Sequence, residues 1–258
     1  MVPGSQHARS PGPALIRSLA RLTELEGPAS SPDLAERLSQ WLRWTDAVSL
    51  SAALNASPAT LSGAPDSSAG ASAADREFAR VRAVLAKAIA EDELFAPDLR
   101  RADPRATPSA AAAPASFAPY RLRYLARQQA MEAGIATLRE SVRATLAAAE
   151  PALARLSALD AVMEQALAPH EHSLLSTVPA LLQGRFEALR DAGPAASGGA
   201  PEREGPHSGA ARRATPERWL DVFCKDMQGM LLAELDLRLQ PVGALLAALR
   251  TSLTRIHG

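Results

Sequence analysis

The chain predicts an all-α fold, an elongated helical bundle built on one long central stretch and divided by linkers. Three observations predict it. Apolar or small residues at Tyr124, Met131, Ile135, Leu138, Val142, Thr145, Ala149, Ala152, Leu156, Leu159, Met163 and Ala166 recur in steps of three and four, with only Gln128 polar. That is the spacing of one face of a helix. Hydrophobic residues make up 47% of the chain but aromatics only 4%, and much of the remainder is alanine, so apolar surface per residue is modest. Finally, 20 Pro and 15 Gly are clustered, so helical stretches alternate with segments too poor in apolar surface to order themselves.

Taken in order, residues 1–12 read as a disordered tail. Pro13 suits a first helical position, and Leu15, Leu19 and Leu22 form one face before Gly27 and Pro28. Ser31, Pro32, Asp33 and Glu36 then make a second start signal. From there Leu34, Leu38, Trp41, Thr45, Val48 and Ala52 predict a helix to about Leu54, completing an N-terminal helical pair over 13–54.

Residues 55–72 read as a linker. Ser72 and Asp75 resemble a cap, and Phe78, Val81, Leu85 and Ile89 predict a helix over 73–96. An alanine-rich tract broken by Pro114 makes 97–118 a second, disordered linker.

The central region spans 119–190. An unbroken helix from Tyr120 to Leu167 would reach about 70 Å. Ile135, Val142, Leu156 and Met163 as a positions, with Met131, Leu138 and Leu159 as d positions, are coiled-coil-like. Leu146, Leu153 and Leu167 widen the face toward that of a bundle helix. Pro151 disfavours helix at Glu150, which predicts a kink or a break, read as two stacked or kinked helices. A weaker pattern through Leu175, Val178, Leu182, Phe186 and Leu189 follows.

Residues 191–214 form a third, disordered linker. The last unit, 215–258, predicts a helical pair: Trp219, Phe223, Met227, Leu231 and Leu235 line the first helix, and Pro241 opens a second with Leu246, Leu249, Leu253 and Ile256.

Charge and cysteine content exclude more than they identify. The 28 basic and 28 acidic side chains balance, so no global field draws the chain to nucleic acid or an anionic membrane. Cys224 stands alone, ruling out an intrachain disulfide and matching a reducing compartment. Arg17 and Arg21 interrupt the short apolar run that a signal peptide would need, and nothing approaches the roughly 18 apolar residues of a membrane span. A cytoplasmic protein without membrane insertion is expected.

Trp41 and Trp44, three apart, project as neighbouring aromatic anchors, and Asp46 beside them could pair with an arginine of another helix. Trp219 and Phe223 are the corresponding candidates in the C-terminal unit. Arg121, Arg123 and Arg127 form a basic concentration, with Arg100, Arg101 and Arg105 upstream, that could meet phosphates. His170 and His172 are two imidazoles where a zinc site wants three or four ligands, so no metal is assigned. Cys224, beside Lys225, has no positioned base and reads as a structural thiol. Neither a cofactor fingerprint nor a catalytic constellation is present.

The segment Glu36-Arg37-Leu38-Ser39-Gln40-Trp41-Leu42-Arg43-Trp44-Thr45-Asp46 and its continuation to Leu54 resembles the hallmark of a bacterial family, domain of unknown function 3348. Asp226-Met227-Gln228 and the run from Leu232 to Pro241 are similar to its second block. The resemblance covers nearly the whole chain apart from the linkers. It implies a bacterial, cytoplasmic, helical protein and brings no catalytic residues with it.

The expected function is a non-enzymatic scaffold or adaptor acting through helix–helix contacts, with another helical protein or a second copy as partner. The alternative is a nucleic-acid-associated regulator using the Arg-rich segment around Arg121.

Overall fold

The computed structural model describes residues 14–23, 41–55, 67–95, 116–195 and 215–257. Among them every regular element is helical. The helices are α1 (Ala14–Thr23), α2 (Trp44–Asn55), α3 (Ser67–Ala90), α4 (Ala118–Ala149), α5 (Pro151–Leu175), α6 (Val178–Ala195) and α7 (Thr215–His257), with a 3₁₀ turn at Glu93–Phe95. The expected N-terminal tail, the start signal at Ser31 and most of the three linkers lie outside the described residues.

The axis of the bundle is α7, not the central stretch. It packs against α1, α3, α4, α5 and α6. Its 43 residues extend about 65 Å at the ordinary rise. Phe223, Met227, Met230, Leu231, Leu235 and Val242 are all essentially inaccessible. A helix apolar around most of its circumference is one surrounded by others.

The expected C-terminal pair is therefore a single helix, with Pro241 inside it. An interior proline removes one backbone donor and crowds the preceding turn. The helix continues because Leu239, Val242, Leu245 and Leu246 bury the residues on both sides of the proline.

The central stretch behaves differently from its register. Helix α4 buries Tyr120, Tyr124, Gln128, Met131, Ile135, Leu138, Val142 and Leu146, continuing the predicted stripe. Glu150 is then extended (φ −153, ψ 159), and Pro151 opens α5 at a position where its missing N–H costs nothing.

Beyond Glu150 the chain turns back. Arg139 contacts Asp160 and Glu164, while Ser157 Oγ donates to the Arg143 carbonyl oxygen at 3.1 Å. As α4 ascends, its partners on α5 descend, so the two form an antiparallel hairpin. The stripe carries across only in part: Ala152 is exposed, Leu156, Leu159 and Met163 are half-buried and Ala166 is buried, while Leu153, Ser157 and Leu175 are buried outside it.

Two other boundaries moved. Helix α3 begins at Ser67, so Ser72 and Asp75 lie within it rather than at its start. The chain breaks helix at Leu42 and Arg43 before α2. Asp46 Oδ2 accepts the Arg43 N–H at 2.9 Å, a first-turn carboxylate closing the new start. This break resets the register: Thr45, Val48 and Ala52 are exposed, and α2 turns Asp46, Leu50 and Ala53 toward partial burial.

Five aromatic side chains, Phe117, Tyr120, Phe186, Trp219 and Phe223, gather at one place in the bundle. Phe186 lies 5.1 Å from both Trp219 and Phe223, ring edge to ring face in each case, and Tyr120 meets Phe223 at 5.3 Å. Such pairs add about 0.5–1.5 kcal/mol beyond their area burial. They fasten α4, α6 and α7 together.

Candidate functional site

Below those rings the bundle core turns polar. Glu234 of α7 has no exposed surface. Tyr124 Oη donates to its carboxylate at 2.9 Å, Gln128 Nε2 donates at 3.1 Å to each oxygen, and Arg238 Nε donates at 3.0 Å. Gln128 Nε2 also reaches the Leu175 carbonyl oxygen, at 3.3 Å, near the end of α5. Arg238 continues outward, its Nη1 donating to Glu171 Oε1 at 3.2 Å.

This network joins α4, α5 and α7 at one level. Burial pushes the Tyr124 phenol well above its ordinary range, and the Glu234 charge and hydrogen bond push the same way. Tyr124 is accordingly a hydrogen-bond donor, not a titrating group. Among the described residues no buried side-chain nitrogen or oxygen lacks a partner. A satisfied buried network fixes which helix faces meet.

Arg238 also forms part of an open cleft of about 290 Å³, with Ile135, Met163 and Leu167 as apolar wall and His172 and Pro241 beside them. The guanidinium is held by both Glu234 and Glu171, so the cleft floor is charged but internally compensated.

Two further ion clusters are structural in form. Arg139 and Arg143 of α4 clasp Asp160 and Glu164 of α5. Burial tends to raise the Asp160 carboxyl, but hydrogen bonds from both guanidiniums prevail and hold it below its usual value. Near the end of α3, Asp92 accepts the Leu94 N–H at 3.1 Å and pairs with Arg127 at 2.6 Å and Arg123 at 3.6 Å. Gln228 of α7 donates to the Ile89 and Ala90 carbonyls, capping the C-terminus of α3.

The exposed feature is α2. It has no buried residue and packs along α5. Trp44 is 83% exposed, Val48 52% and Leu54 59%. With Ala47 and Ser51 between them, these side chains occupy one arc of the helix, at spacings of three and four. A tryptophan so bare, backed by two further apolar side chains, is the kind of patch that marks an interaction site.

The residues singled out from sequence separate accordingly. Trp41 and Trp44 do not share a surface, because the break at Leu42 and Arg43 divides them. Trp41 is half-buried and stacks on His170, ring centroids 5.3 Å apart and 14° from parallel. Asp46 serves its own helix start rather than another helix.

Trp219 is half-buried against Phe186, and Phe223 has no exposed surface at all, so its ring belongs to the core. Of the three arginines, Arg123 and Arg127 are committed to Asp92, and Arg121 stands exposed with no ion pair among the described residues. His170 and His172 diverge, one toward Trp41 and the other into the cleft. Cys224 is buried, its thiol 3.8 Å from the Leu94 carbonyl oxygen.

Sequence reading missed Glu234, Arg238 and Asp92. The signal for the first lay in Gln128, the one polar residue in an otherwise apolar stripe, which had to meet a polar partner across the core. Nothing in the sequence marked Asp92.

A sequence model of the family described as Protein of unknown function (DUF3348) matches residues 1–251, and the chain belongs to that family. No curated protein and no solved structure matches it. Among the described residues no helix is long and apolar enough to cross a membrane, and no three His, Cys, Asp or Glu side chains gather as metal ligands.

Proposed function

We propose that this member of the DUF3348 family is a helical scaffold or adaptor that docks a partner protein on the outward face of α2. The observation that carries the reading is Trp44, 83% exposed on a helix with no buried residue. Solvating a large indole in this way forgoes free energy that a partner would recover, and tryptophan is the residue type most enriched at binding hot spots. The rest of the molecule is suited to hold that face steady. Helix α2 lies on α5, which the ion clasp and the Gln128 bond to the Leu175 carbonyl tie to α4 and the Arg238–Glu171 pair ties to α7.

Crosslinked capture of the full chain from its native host, compared with Trp44→Asp, tests the reading. The expected result is stoichiometric recovery of one protein by the parent chain and its loss from the variant. Equal recovery by both would remove α2 as the docking surface.

A further inference from the structure

We infer that the partner of the α2 face is a second copy of this chain, the two α2 helices pairing antiparallel about a two-fold axis. The inference rests on the reading of α2 as a docking surface and goes beyond it by naming the occupant.

Charge at the helix ends supports that choice. The Arg43 side chain is 83% exposed and its Nε is 4.0 Å from Asp46. The last turn of α2 has no basic residue. The negative end of a helix dipole favours a cation beside its terminal carbonyls. An antiparallel copy delivers Arg43 of each chain to the C-terminal end of the other helix, and the two-fold axis makes the exchange reciprocal.

Shape points the same way. Trp44 is the bulky residue at one end of the face, while Ser51 and Ala52 leave the other end low, with Leu54 at its flank. Antiparallel pairing sets each indole over the partner's low end; a parallel pair would stack indole on indole. Asp46 is the only charged residue from Trp44 to Asn55, and it is turned back onto the Arg43 N–H. Two copies therefore meet along α2 without like-charge repulsion.

The size of the face sets the strength. Twelve residues make a strip about 18 Å long and about 10 Å wide. That falls short of the roughly 800 Å² per partner in a standard stable interface. The dimer is accordingly reversible and populated only at high protein concentration.

Sedimentation equilibrium of the full chain, from about 1 μM to about 1 mM, is the test. The expected average mass rises from 27.1 kDa toward twice that value. Trp44→Ala should weaken association about tenfold or more, without disturbing a fold in which this side chain is bare. Orientation is tested by oxidation: Val48→Cys sits near the two-fold axis and should crosslink the dimer, whereas Asn55→Cys, far from the axis, should do so only in a parallel pair.

A chain that stays monomeric throughout, association unchanged in Trp44→Ala, or preferential crosslinking of Asn55→Cys would each overturn the inference. If the chain is monomeric yet captures a different protein through Trp44, the second copy is excluded while the docking face stands. If neither association depends on Trp44, both fall.

Discussion

Glu234 brings a carboxylate into the bundle interior with donors from Tyr124, Gln128 and Arg238 arranged around it. Replacing Glu234 with Ala leaves a guanidinium and two neutral donors facing a cavity. Breaking a buried pair from one side costs about 3–5 kcal/mol, and urea unfolding of Glu234→Ala should show a loss of that order. Tyr124→Phe removes one donor while three hydrogen bonds from Gln128 and Arg238 remain, so its cost should be nearer 1 kcal/mol. A double-mutant cycle between Glu234 and Tyr124 should show coupling, because the Tyr124 hydroxyl donates directly to Glu234 Oε2. Part of this was legible: Gln128 interrupts an apolar stripe and implies a buried polar partner. That the partner is Glu234, 106 residues further on, depends on how α4 and α7 are packed, which no local pattern encodes.

At the scale of the element, the α4–α5 hairpin is the feature most exposed to pH. The Asp160 carboxyl is held below its usual value by Arg139 and Arg143 against the opposing effect of burial. A depressed carboxyl contributes stability that is fully present above its unfolded value of 3.8 and is lost as pH falls from there through the folded one. Thermal unfolding between about pH 5 and pH 2 should therefore fall less steeply for Asp160→Asn than for the parent chain. Helix α2 sits at the other extreme. With no buried residue and 12 residues of length, it is too short to be stable without packing. Its amides should exchange with solvent far faster than those of α7, as hydrogen-exchange mass spectrometry would read. The existence of both elements could be read from periodicity and proline. The hairpin could not, because a three-and-four pattern is unchanged whether the chain continues straight or reverses at Glu150. The face of α2 was misread for a related reason: a break of two residues rotated every later side chain relative to Trp41.

For the whole molecule, α7 is the element the others share. Ending the chain before Thr215 removes Phe223 from the aromatic cluster, Glu234 from the polar network and Gln228 from the cap of α3 together. Circular dichroism of a chain ending at residue 214 should show helical signal without a cooperative thermal transition. By itself the sequence determined the all-α class, the existence of the central and C-terminal helices and the family to which the chain belongs. Those follow from spacing along the chain and from residue types, which are local properties. Only the tertiary structure decided that α7 is the axis, that α5 folds back on α4, that Glu234 is buried, and that Trp44 faces outward while Phe223 faces in. Each of these depends on which of several apolar faces meet. Since all the helices bring alanine and leucine to their contacts, the choice rests on a few shape and hydrogen-bond matches between residues far apart in the chain.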